Sequence, residues 1–170
     1  AIYGRTNAGK SSLINKITNQ SISLVSETRG TTTDPVYKAM ELLPIGPVVF
    51  IDTAGIDDTT ELGELRVKKT KEILNKMDIA LLLISTVEVV LENQELNYEK
   101  EWIREIKKRE KPFIVILNKV DLVSVEKLQE IEEKVKRELG CEISKVTTSR
   151  EESIQTIKNK IIEYAPKIVV

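Results

Sequence analysis

The chain has no histidine. A mechanism that needs a histidine base or a histidine-ligated metal within these 170 residues is therefore excluded. It has one cysteine, Cys141. That residue cannot form an internal disulfide, and alone it cannot hold an iron–sulfur cluster, which draws on several thiolates. It reads as a small buried apolar residue. An excess of either charge is missing too, with 26 Lys plus Arg against 27 Asp plus Glu and a net charge of −1. A dedicated nucleic-acid module is usually basic, so nucleic acid is not an expected partner. No apolar run approaches the ~20 residues of a membrane-spanning helix, and no signal peptide opens the chain. The expectation is a cytoplasmic domain with no membrane contact.

At this length one domain with a proper core is expected. Ala1-Ile2-Tyr3 reads as the tail of a strand that begins upstream, and Ile168-Val169-Val170 ends on an apolar run. Both suggest a segment of a longer protein: a domain over 1–165, and the start of a linker to further domains over 166–170.

Apolar runs of strand length alternate with amphipathic stretches. Strands are predicted at the stub before Gly4, Val36–Leu43, Val48–Ile51, Ile79–Ser85, Phe113–Leu117 and Ile143–Val146. The unbroken runs Ile79–Ile84 and Phe113–Leu117 suit central parallel strands covered on both faces. Helical spacing appears at Leu13/Ile14/Ile17, Trp102/Ile103/Ile106, Val125/Leu128/Ile131/Val135 and Ile154/Ile157/Ile161. Pro112 closes one helix, and Pro44-Ile45-Gly46-Pro47 reads as a turn between antiparallel neighbours. The charged run Lys100–Lys111 reads as a solvated helix face, because acids interrupt the bases. This alternation predicts an α/β layer fold with right-handed crossovers.

Gly4-Arg5-Thr6-Asn7-Ala8-Gly9-Lys10-Ser11, followed by Ser12, fits G-x-x-x-x-G-K-S/T between a strand stub and a helical pattern. The glycines let backbone N–H groups turn toward phosphates, and a helix N-terminus adds positive potential. Lys10 is expected against the β and γ phosphates and Ser11 on Mg²⁺. A glycine turn capped by Ser11 and Ser12 explains less, given strand, loop and helix in order.

Asp52 ends a strand, and Gly55 follows as D-x-x-G, placing a carboxylate near Mg²⁺ and a glycine N–H near the γ-phosphate. Asn118-Lys119-Val120-Asp121 follows a buried strand as N-K-x-D. The Asp121 carboxylate can accept from both N1–H and the exocyclic amine of guanine, whereas adenine would leave it desolvated and unpaired. Between these motifs, Gly30-Thr31-Thr32-Thr33-Asp34 lies in an aperiodic stretch suited to a switch that orders around γ-phosphate and Mg²⁺.

On these residues the chain resembles translation-factor-class GTPases of the Era/TrmE-like group, through G-R-x-N-x-G-K-S-S and G-T-T-x-D. The string Gly30–Pro47, with Asp52-Thr53-Ala54-Gly55-Ile56-Asp57-Asp58, is similar to the HydF family of FeFe-hydrogenase maturation GTPases. The resemblance covers essentially the whole chain. It implies a P-loop NTPase fold of the Ras-like G-domain type, a mostly parallel six-stranded sheet with helices on both faces. It implies a scaffold protein in which dimerisation and iron–sulfur cluster domains lie outside this chain, with other maturases as partners. It further implies Thr32, beside Thr31, as the magnesium threonine, and Asn7 as a potassium ligand. The group commonly shows Ser-Ala before the last helix; here stand Thr147-Thr148-Ser149, whose backbone N–H is still expected to reach guanine O6.

Many nucleotide hydrolases carry a glutamine after the D-x-x-G glycine; Ile56 stands there and cannot orient water. Potassium held by Asn7 and by switch carbonyls around Thr28–Thr31 would supply charge neutralisation, the part an arginine finger plays elsewhere. Asp57, Asp58, Glu61 and Glu64 are candidates to position the water, none singled out, so slow intrinsic turnover is expected. The region Leu62–Met77, containing Leu65, is the candidate transmitting element. Two other functions stay open: a module whose work is done by GTP occupancy, and a ribosome- or tRNA-directed GTPase.

Overall fold

A computed structural model describes residues 1–4, 9–18, 36–42, 45–52, 72–91, 96–147 and 150–165. Six strands, β1 (Ile2–Gly4), β2 (Val36–Leu42), β3 (Gly46–Asp52), β4 (Ala80–Ser85), β5 (Phe113–Asn118) and β6 (Ile143–Lys145), form one sheet in the order β2-β3-β1-β4-β5-β6. β1 pairs in parallel with β3 and β4, β4 with β5, and β5 with β6; β2 runs antiparallel to β3. The helices are α1 (Lys10–Thr18), a described stretch at 72–76 (α2), α3 (Thr86–Leu91), α4 (Asn97–Lys108), α5 (Val125–Leu139) and α6 (Glu151–Tyr164). The expected mostly parallel six-stranded α/β sheet is thus present.

The pleat sorts the core. Ala80, Leu82 and Ile84 of β4 join Tyr3, Val115 and Leu117 against side chains of α2 to α5. Leu81 and Leu83 join Ile2, Ile114 and Ile116 against α1 and α6. Burial of each large side chain contributes about 1.5–3 kcal/mol, which holds helices to both faces. Tyr3 is fully buried, packs on Trp102 with ring centroids 4.2 Å apart and tilted by 40°, and donates to Met77 Sδ at 3.4 Å, so the strand leading to Gly4 is anchored on α4 and on the residue that follows α2. The chain passes from β1 to the β2–β3 hairpin on one side and to β4 on the other. This switch point opens a crevice at the carboxyl ends of the strands, where α/β sheets bind ligands.

Several expectations need correction. The 44–47 turn is shorter: Gly46, at φ +102°, and Pro47 already belong to β3. At that level the described pairing of β3 is to β2, so a residue lacking an N–H is tolerated. Val125 continues an apolar period yet is 82% exposed, since the buried stripe of α5 is Ile131, Val135 and Leu139. Ser124 caps that helix through Lys127 N–H at 3.2 Å, and Gly140, left-handed at φ 64°, ends it. Cys141 is half-buried, not enclosed, and burial raises its thiol pKa. Helix α3 forms where no element is expected, despite its β-branched valines. Residues 100–108 do form a helix with a solvated face.

Candidate functional site

The first half of the site stands where β1 ends and α1 begins. Gly9 has φ +95°, and its carbonyl accepts from Leu13 N–H at 3.0 Å, which makes it the residue that opens the helix. A Cβ on Gly9 would collide with the Asn118 amide nitrogen, so torsion and space both require glycine. Lys10 is 5% exposed and donates Nζ to the Gly4 carbonyl at 2.5 Å. The ammonium therefore ties together the two ends of the loop. Ser11 and Ser12 follow in the first turn with exposed side chains. A buried ammonium beside a helix N-terminus, whose first amides have no partner within the helix, is a fitting cradle for phosphate oxygens.

The second half stands at the ends of β5 and β6. Asn118 is 1% exposed, and its Oδ1 accepts from Lys119 N–H at 2.8 Å. Lys119 is left-handed, φ 62° and ψ 33°, and leads into a 3₁₀ turn, Val120–Leu122, that carries Asp121. Asp121 Oδ1 accepts from Thr147 Oγ1 at 3.2 Å. Val146 N–H donates to Leu117 O at 2.8 Å, and Val120 N–H donates to Val146 O at 3.4 Å, joining the two strand ends. Glu132 of α5 lies between Lys136, at 3.0 Å, and Lys145 of β6, at 3.2 Å. The hydrogen bond from Lys136 leads, with Lys145, in holding its carboxyl below the usual 4.5.

Gly4, Gly9 and Lys10 thus form one end; Asn118, Lys119, Asp121 and Thr147 form the other; and Gly9 meets Asn118 where they touch. Asp52 closes β3 on the same edge, its Cα in register with Ile2. Arg5, Thr6, Asn7, Ala8, Thr31, Thr32, Gly55 and Thr148 lie outside the described residues, as do Ile56, Asp57, Asp58, Glu61, Glu64 and Leu65. One expectation changes. The Thr147 N–H already donates to Ser153 Oγ at 3.1 Å, so Thr147 offers its hydroxyl to Asp121 and its amide is engaged in the loop.

Among the described residues no cluster of acids and thiols could hold a metal ion. A magnesium ion here would instead draw on a hydroxyl such as Ser11, on Asp52 and on phosphate oxygens, the hard oxygen set it favours. Residues outside the nucleotide motifs also belong to the site. Ser153 holds Thr147, and Thr86 reaches the Asn118–Lys119 turn with its hydroxyl. The signal for Thr86 is a hydroxyl pair, Ser85-Thr86, ending an apolar strand beside the N-K-x-D strand.

A family model described as 50S ribosome-binding GTPase matches residues 1–119. Among curated proteins, the tRNA modification GTPase MnmE of Christiangramia forsetii is 32% identical over 96% of this chain and 36% of its own length. MnmE of Bacillus cytotoxicus is 35% identical over 88% of this chain and 30% of its own length. The chain spans about a third of the length of these relatives. A crystal structure of Aquifex aeolicus Era bound to GDP.AlF4- superposes with a TM-score of 0.75 at 24% identity, covering 99% of this chain and 56% of that one, a likeness of fold. Among the described residues no helix is long and apolar enough to cross a membrane.

Proposed function

The chain belongs to the 50S ribosome-binding GTPase family, a GTP-binding and GTP-hydrolysing domain, and from that premise we propose that it works as a nucleotide-dependent switch inside a larger cytoplasmic scaffold protein. The observation that carries this reading is the meeting of a phosphate cradle and a guanine-type carboxylate on one sheet edge, with Gly9 packed on Asn118. The domain would span 1–165, with 166–170 beginning a linker.

In the proposed site, Gly4–Ser12 wrap the phosphates and Lys10 neutralises the β and γ oxygens. Ser11, Thr32 and Asp52 hold Mg²⁺, which would offset charge on the transferring phosphoryl group. The Gly55 N–H meets the γ-phosphate. Asn118 and Lys119 flank the base, Asp121 accepts its two N–H donors, and Thr147 orients that carboxylate, with Thr148 beside it. Asn7 would hold K⁺, compensating for the absence of a polar side chain at Ile56. Water attacks the γ-phosphorus, the bond to the β–γ bridging oxygen breaks, and GDP and phosphate leave.

The test is steady-state GTP hydrolysis with Mg²⁺ in potassium against sodium at equal ionic strength, with Asn7→Ala beside it. Slow turnover stimulated by potassium, and lost in the variant, is expected. Equal rates in both salts would overturn the potassium assignment, and no hydrolysis in either would overturn the enzyme reading.

As the finer assignment we propose FeFe-hydrogenase maturation of the HydF type, supported by the string Gly30–Pro47, whose latter part forms the β2–β3 hairpin. A second reading, action on RNA, is favoured by relatives named as tRNA modification GTPases. It also draws on an exposed basic edge of α4, Lys100, Arg104, Lys107 and Lys108. Full-length protein purified without oxygen decides between them. Bound iron and sulfide support the maturation scaffold, and bound RNA without iron supports the alternative.

A further inference from the structure

Thr86 lies in none of the four nucleotide motifs, yet its side chain grips the base-side turn. It is fully buried, and Oγ1 lies 2.9 Å from the Asn118 carbonyl and 2.8 Å from the Lys119 carbonyl. A hydroxyl has one proton, so this is a three-centre bond shared between two successive carbonyls. Two carbonyls converge in this way at a left-handed residue, and Lys119 is one, at φ 62° and ψ 33°. That conformation is unfavourable for a residue with a Cβ and persists where surroundings hold it. Here the hold comes from two sides: Asn118 Oδ1 accepts from the Lys119 N–H, and Thr86 Oγ1 donates to its carbonyl, beside the Leu122 N–H at 3.1 Å.

Sheet register explains why residue 86 does this. Ser85, the last residue of β4, is paired with Asn118, so Thr86, the first residue of α3, arrives beside Lys119. The neighbouring hydroxyl makes a useful contrast. Ser85 Oγ is buried and has no hydrogen-bond partner among the described residues.

We propose that Thr86 is a positioning residue for base selection: by fixing the Asn118–Lys119 turn it aims the Asp121 carboxylate at the exocyclic amine and N1–H of guanine. This rests on the guanine reading of the site. Loss of the hydroxyl removes this donor from both carbonyls, leaving the Lys119 carbonyl held by the Leu122 N–H at 3.1 Å, and the turn that presents Asp121 relaxes.

The experiment compares binding of GDP, IDP and ADP to wild type, Thr86→Val, Thr86→Ser and Ser85→Ala, with thermal unfolding in parallel. Hypoxanthine in IDP lacks only the exocyclic amine, so the GDP-to-IDP ratio reports the aim of Asp121 rather than overall integrity. Thr86→Val is expected to lower GDP affinity about tenfold and to shrink the GDP-to-IDP ratio several-fold. Thr86→Ser should restore both, and Ser85→Ala should leave the ratio unchanged. Should Thr86→Val not fold, Thr86→Cys, with its weak S–H donor, is expected to give a ratio between wild type and one. A wild-type ratio retained in Thr86→Val, or in Thr86→Cys if that variant carries the test, overturns the proposal. Equal binding of GDP and ADP by the wild type would instead overturn the guanine reading beneath it.

Discussion

At the phosphate end, the described geometry rests on one glycine at φ +95° and one ammonium folded onto the carbonyl of Gly4. At the base end, a left-handed lysine is clasped by an asparagine side chain and a threonine hydroxyl, and the carboxylate beyond it is held by a second threonine. The first end is built from a single stretch of chain. The second is assembled from β4, β5 and β6, so its shape depends on sheet register and on packing far away in sequence. The phosphate end is therefore governed by charge and backbone freedom, and the base end by how hydroxyls and an amide side chain hold a carboxylate in place. The difference predicts that damage at one end leaves the other's selectivity intact, except at the one contact they share.

The strongest test of that separation is Lys10→Ala. With Lys10 in its proposed role beside the β and γ phosphates, its loss is expected to lower kcat/KM for GTP by about 10²–10³-fold. The GDP-to-IDP affinity ratio should not change, because the Lys10 ammonium is bonded to the Gly4 carbonyl of the phosphate loop. A change in the ratio would break the comparison. Next in size is Gly9→Ala, where the shared contact is attacked. Positive φ costs about 1–3 kcal/mol, and the new Cβ would push on Asn118, so denaturant unfolding should show lowered stability. Nucleotide binding should weaken along with base preference, a double effect that Lys10→Ala does not produce.

The smallest effect concerns the brace behind the base end. The folded pKa of Glu132 lies below its usual 4.5 because Lys136 first, then Lys145, bond its carboxylate. A depressed folded pKa means that the contribution is fully present above about 4.5 and is lost as pH falls through the folded value. The stability gap between wild type and Glu132→Gln, read by urea unfolding, should be present at neutral pH and close at acidic pH. A gap that widens toward acid would contradict the sign.

Much of this was legible in the sequence, because the signals were local. Unbroken apolar runs mark β4 and β5 within a residue of their ends, since strands covered on both faces have no polar side to show. The glycine–lysine pair of the phosphate loop is likewise written in one stretch. What could not be read is whatever depends on register. Thr86 matters because Ser85 pairs with Asn118, an alignment across more than thirty residues that no local pattern encodes. Ser153 reaches the Thr147 amide from the first turn of α6, only six residues on, through a loop geometry that no motif marks. Val125 misled because periodicity reports apolar spacing, whereas burial depends on where the helix begins to meet the sheet.

The proposal that the base end selects guanine through Asp121 is open to competition binding of GDP against ADP in the nucleotide-free protein. A preference for GDP of tens-fold or more is expected, on the order of the 1.5–3 kcal/mol of a charge-assisted hydrogen bond, with most of that preference lost in Asp121→Ala. Comparable affinity for GDP and ADP, or a preference that survives Asp121→Ala, would contradict it.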